Sequence, residues 1–157
     1  MKLKEIAEII KGVHAVEGQK KEKVKSYKEL SMVSLEPISF IDERKLIKIN
    51  SDRLISKKQL TRTGDIVVSL YHPMIACYVE KGQDGYAVPH YMALIRMKRE
   101  SKIDSRFIVQ FINSSRGRRA LSKRSRTFSQ SRPTSLPIKV LEEVELLKEV
   151  NSLITRL

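Results

Sequence analysis

The sequence predicts an α+β fold: a mixed, curved β-sheet with flanking helices, and a long C-terminal amphipathic helix. Three patterns carry that expectation. Short β-branched runs between residues 27 and 98, led by Ile66-Val-Val-Ser-Leu-Tyr71, are bounded by turn residues and read as strands. Phe107, Ile108, Phe111 and Ile112 recur at helical spacing behind Asp104 and Ser105, either of which suits an N-cap. Val140, Leu147, Val150, Ile154 and Leu157 follow the a/d spacing of a helix seam, broken at Glu143 and widened by Leu146 and Leu153. At 157 residues and 41% hydrophobic content, the chain is long enough to bury one sizeable core as a single domain.

At the start of the chain, Leu3, Ile6, Ile9 and Ile10 predict a short helix, stopped by Gly12 in a left-handed terminal position. The polar segment around Gly18 crowds Lys20, Lys21, Lys23 and Lys25 into an exposed loop. It reads either as a solvated run or as a phosphate-contacting arm. Strands are expected from Tyr27 to Ile49, with a turn at Asp42-Glu43-Arg44, and a helical turn fits between Asp52 and Leu60. Thr63-Gly64-Asp65 reads as a turn into the buried strand at Ile66. A second strand over Met74–Glu80, a hairpin turn over Lys81–Gly85 and a third strand over Tyr86–Lys98 complete the sheet. Pro89 near the start of that third strand suggests an edge or a bulge. The segment from Ser131 to Val140 reads as extended and Pro-punctuated.

Charge is the strongest compositional signal. The net charge is +13, and between residues 96 and 132 twelve Lys and Arg face only Glu100 and Asp104. Such self-repulsion is tolerated most easily when a polyanion neutralises it. An anionic membrane surface, or a surface that serves solubility alone, also fits the charge. The basic, hydroxyl-rich segment holds Arg116, Arg118, Arg119, Lys123, Arg124, Arg126 and Arg132, and it reads as a cationic loop. Arginine forks engage phosphate or guanine edges in pairs of hydrogen bonds, and Gly117 allows close backbone approach. Phe128 reads as a buried anchor or a wedge. His72, Tyr86 and His90 are candidates for reaching base edges.

Other chemistries fit poorly. His14, His72 and His90 are scattered, and one cysteine, Cys77, leaves no zinc-ligand spacing. Cys77 sits in an apolar run and reads as a small core residue. The glycines match no phosphate-cradling loop. Glu43-Arg44-Lys45 has an E-x-K order that suits a metal-dependent nuclease, yet no Asp precedes it on a neighbouring strand. Catalysis, metals and cofactors are therefore not expected. No apolar stretch reaches the length of a membrane span and no secretory signal opens the chain, so a cytoplasmic setting is expected.

The order of motifs resembles a target recognition domain of the DNA-specificity subunit of type I restriction–modification systems. The likeness rests on MKLKEIAEIIKG, on LTRTGDIVVS, and on IDSRFIVQFINSSRGRRAL followed by TSLPIKVLEEVELL. The resemblance implies a recognition domain over residues 1–138 and a spacer or dimerisation helix over 139–157. It implies sequence-specific binding of duplex DNA that directs partner methyltransferase and restriction subunits. The chain would then be a half-subunit, a fragment or a stand-alone relative. As a half-subunit it would form a homodimer through Val140, Leu147, Val150, Ile154 and Leu157, although packing of that stripe on the chain's own core stays open. A non-catalytic RNA-binding or ribosome-associated module is the alternative that the charge fits as well.

Overall fold

The computed structural model describes residues 1–14, 25–51, 54–71, 74–128 (from 123 the backbone alone) and 136–146. A short helix α1 (Leu3–Ile6) leads into strand β1 (Ala7–Lys11). Strands β2 (Lys25–Glu29) and β3 (Ile47–Ser51) follow, then β4 (Ile66–Ser69), β5 (Ala76–Tyr78) and β6 (Met92–Met97). Helices α2 (Ser105–Asn113), α3 (Ser115–Phe128) and α4 (Ile138–Glu143) follow, and single 3₁₀ turns lie at Met32–Ser34, Glu43–Lys45 and Lys57–Gln59.

The fold is α+β, with antiparallel sheets in place of the expected mixed one. The larger sheet has the order β1-β6-β4-β5, and β2 with β3 forms a separate two-stranded ribbon. Every pairing between these strands is antiparallel. The link from β4 to β5, residues 70–75, is too short for the crossover that a parallel pair needs. Ile66 and Val68 point to one face of the sheet and Val67 to the other, and both faces are covered. That explains the unbroken apolar run in β4. One face packs against the helices through Leu3, Ile108, Ile112, Leu121 and Leu141. The other packs under the 30–41 segment through Leu30, Leu35 and Ile41, together with Tyr86 and Val88.

Several local expectations give way to tertiary pairing. The predicted helix over residues 3–10 ends at Ile6, because Ile9 and Ile10 pair with Ile95 and Leu94 of β6. The apolar positions fit either period, and a central partner strand decides between them. Gly12 takes no left-handed conformation. A Cβ there would overlap the carbonyl oxygens of Val88 and Pro89, so glycine serves a close crossing of chains. Lys81–Gly85 is a turn with left-handed Gly82 and Gly85, but it joins strands that are not neighbours, so no hairpin forms. Pro89 precedes β6, which is a central strand.

The basic segment also departs from expectation. It is helical through Phe128, not a loop. Asp104 caps α2 by accepting from the Arg106 N–H at 2.9 Å, as predicted. Ser114 then breaks the chain between α2 and α3, its hydroxyl accepting from the Gly117 N–H. A side chain at Gly117 would collide with the Phe111 carbonyl, so this glycine admits helix packing, not a ligand. The Leu136 N–H donates to the Leu70 carbonyl at 2.6 Å. Pro137 then opens α4 directly, as its missing N–H allows. The C-terminal helix expected to run on from Leu141 instead ends at Glu143, and Glu145 bridges to Lys2. Leu147, Val150, Ile154 and Leu157 lie outside the described residues. Val140 is fully buried against the chain's own core and offers no surface to a partner.

An internal ion pair ties the sheet together. The Asp65 side chain is 3% exposed, and its carboxylate takes two hydrogen bonds from Arg96 of β6, at 3.0 and 2.8 Å. The Arg62 N–H adds a third at 2.9 Å. The same guanidinium donates to the carbonyls of Lys58 and Leu60. Removing one partner of a buried pair leaves the other charge uncompensated. Asp65→Ala is therefore expected to destabilise the fold by about 3–5 kcal/mol in urea unfolding. Between the N-terminal segment and α4, Glu143 binds Lys2 and Lys4 at 2.8 and 2.6 Å, and these ammonium groups hold its carboxyl down at about 2. A depressed carboxylate contributes stability above its ordinary range and loses it as pH falls toward about 2. Glu143→Gln should thus lower the melting temperature at neutral pH and flatten its decline in acid, as thermal melts across pH would show.

Candidate nucleic-acid interface

The fold uses several of its cations internally, which narrows where a polyanion can be met. Lys45 meets Glu36 at 2.8 Å, Lys58 meets Glu8 at 2.5 Å, and Arg44 meets Asp42 at 3.0 Å. Asp42 is buried, and its hydrogen bonds from Arg44 keep its carboxyl below the ordinary range. These pairs absorb the E-x-K segment into the fold. Glu43 itself accepts from the Gln83 amide at 3.2 Å. Among the described residues, no group of three or more His, Cys, Asp or Glu is placed to hold a metal ion. Cys77 is buried, and burial pushes its thiol up to about 12.

Helix α3 presents part of the basic segment. Gly117 and Leu121 turn inward, while Arg116, Arg119 and Ser122 are exposed. That division follows the three- and four-residue steps of a helix. Arg119 donates from Nε to the Ser115 carbonyl at 3.4 Å. Arg118 is half-buried, and its Nε is enclosed with no hydrogen-bond partner among the described residues. Lys123, Arg124 and Arg126 lie on the helix backbone, with side chains outside the described residues. Arg132, Lys20, Lys21, Lys23 and His72 are also outside them. Lys25 is exposed at the start of β2, its Nζ 5.4 Å from the centre of the Tyr27 ring.

Of the three residues expected to read base edges, two are described, and their placements differ. Tyr86 is 8% exposed and belongs to the core, where burial and the Glu43 carboxylate push its phenol up. It presents no edge to a ligand. His90 is exposed and stands in a row of rings. His14 meets His90 edge-to-face at 5.4 Å, His90 meets Tyr91 at 5.4 Å, and Tyr91 meets Tyr71 at 6.4 Å.

Backbone hydrogen bonds assemble this row. The Val13 N–H donates to Val88, and the Gly12 N–H to Met92, both at 2.9 Å, which brings His14 under the 88–91 turn. The Leu70 N–H donates to the Tyr91 carbonyl at 2.9 Å and places Tyr71 alongside. Glu29 lies near His14 and Tyr91; burial raises its carboxyl, against the pull of His14. Tyr91 is raised by burial and by Glu29. Ring faces, imidazole N–H groups and a carboxylate acceptor together make a surface suited to nucleobases. Sequence reasoning finds only His90 of this group. His14, Glu29, Tyr71 and Tyr91 come from four separated stretches, and the close crossing at Gly12 is the one local sign that joins two of them.

No helix among the described residues is long and apolar enough to cross a membrane. No family model matches the sequence, and no curated protein matches it. Among solved structures, the chain is similar to one from work on complex assembly and conformational transition of the type I restriction–modification system. The superposition has a TM-score of 0.66 at 14% identity, and covers 99% of this chain and 40% of that one. The chain thus spans well under half of its neighbour's length, and over almost all of its own length it shares that neighbour's fold.

Proposed function

We propose that this chain is a recognition module of a type I restriction–modification specificity subunit, or a half-subunit, that binds duplex DNA in a sequence-directed way. The fold likeness across 99% of the chain is the observation that carries the reading. In this reading Arg116 and Arg119 of α3 grip phosphates, with Lys25 doing so from the ribbon, and His90 with His14, Tyr71, Tyr91 and Glu29 contacts bases. The chain does no chemistry of its own. It orients methyltransferase and restriction subunits in the cytoplasm. Pairing of two copies belongs to the same reading and would rest on residues 147–157.

A second reading has one observation in its favour. The row of rings from His14 to Tyr71 suits stacking of unpaired bases, as RNA-binding modules use. Competition between random duplex DNA and structured RNA for the purified chain separates the two, and preference for RNA would replace the first reading. Within the first, Arg116→Ala with Arg119→Ala should weaken duplex binding and reduce its salt dependence by about 0.9 log units per phosphate released. An unchanged salt slope in a folded variant would remove α3 from the interface.

A further inference from the structure

The ribbon of β2 and β3 has two unlike faces. Tyr27 and Ile49 are cross-strand partners on the inner face, buried against Ile55 and Ala87. The Tyr27 hydroxyl accepts from the Ile55 N–H at 3.0 Å, which fixes that face inward. The outer face consists of two rungs, Ser26 with Asn50 and Lys28 with Lys48, and all four residues are exposed. Lys28 and Lys48 stand directly opposite one another in the antiparallel register. Like charges in that position oppose strand pairing. Neither ammonium has an acid partner among the described residues, whereas Lys2, Lys4, Lys45 and Lys58 all do. Glu29, the acid on the ribbon, alternates to the other side.

We infer that this outer face is a second contact surface for duplex DNA, with Lys28 and Lys48 flanking the phosphate backbone and Asn50 beside them. The inference rests on the duplex-DNA reading above and adds a surface distinct from α3. A phosphate between the two ammonium groups turns their mutual repulsion into shared attraction. The Ser26 hydroxyl donates to Asn50 Oδ1 at 2.7 Å, so the acceptor of that amide is engaged and its NH2 donors remain for an incoming oxygen or base acceptor. A two-stranded ribbon is also narrow enough to enter the major groove.

The test uses substitutions whose effects on folding and on binding have opposite signs. Lys28→Glu creates an opposite-charge pair with Lys48, so its melting temperature should equal or exceed that of the unchanged chain. Its affinity for a random duplex pool should fall, most steeply at low salt. Lys28→Ala with Lys48→Ala should reduce the slope of log affinity against log salt by about 0.9 for each phosphate no longer engaged, with the melting temperature preserved. Wild-type affinity and slope in both folded variants, while the unchanged chain binds duplex and still responds to α3 substitutions, would overturn this inference alone. Failure of the unchanged chain to bind duplex at all would overturn the functional reading and this surface with it. Loss confined to structured RNA would assign the face to a different polyanion and overturn the duplex assignment.

Discussion

The buried pair of Asp65 and Arg96 is the constraint on which the placement of the other parts depends. Asp65 follows a left-handed Gly64 at the entrance to β4, and Arg96 sits on the adjacent central strand. Their double hydrogen bond ties that turn to β6. The guanidinium then holds the carbonyls of Lys58 and Leu60. Leu60 bridges to Ala87, and Ala87 bridges in turn to Glu29 of β2. One ion pair thereby connects the central sheet to the segment from which the ribbon hangs. The same Ala87 precedes the turn that carries His90 and Tyr91.

Charge in this protein divides into two populations. One is consumed internally: Arg96 by Asp65, Lys2 and Lys4 by Glu143, Lys45 by Glu36, Arg44 by Asp42. Exposed pairs of this kind contribute little individually, while the buried one has a large cost of disruption. The other population, including Lys28 and Lys48, is left facing solvent without acids among the described residues. With a net charge of +13, that second population is the one that the proposed reading assigns to a polyanion. In the proposed reading, the ring row beside Glu29 would supply a different kind of recognition, directional and less sensitive to salt.

The parts legible in the sequence are those governed by local rules. The Gly64-Asp65 turn, the apolar β4 run, the Asp104 cap and the apolar face of α2 follow from neighbours within a few residues. Cys77 likewise lies where its apolar surroundings put it. What escapes local reading is set by distant partners. Ile9 and Ile10 suit helix or strand equally, and only β6 decides. Arg, Ala, Leu and Lys are good helix formers, yet the abundance of Ser and the absence of acids make 115–128 read as a loop. Gly12 reads as a helix stop and Gly117 as room for a ligand's close approach, but both serve close packing, which no local pattern distinguishes. The apolar stripe beginning at Val140 suggests an interface, and its first member fills the chain's own core. Tyr86 resembles a reading residue because it follows a turn, and the 30–46 segment that covers it is remote in sequence.

Amide hydrogen exchange of the chain, with and without duplex DNA, addresses the central claim most directly. If the outward-facing cations form the reading surface, duplex should slow exchange in residues 25–29, 47–51 and 115–122, and leave the buried strands β4 and β6 as they were. Slowing confined to other surfaces, with the ribbon and α3 unchanged in the presence of bound duplex, would contradict the account.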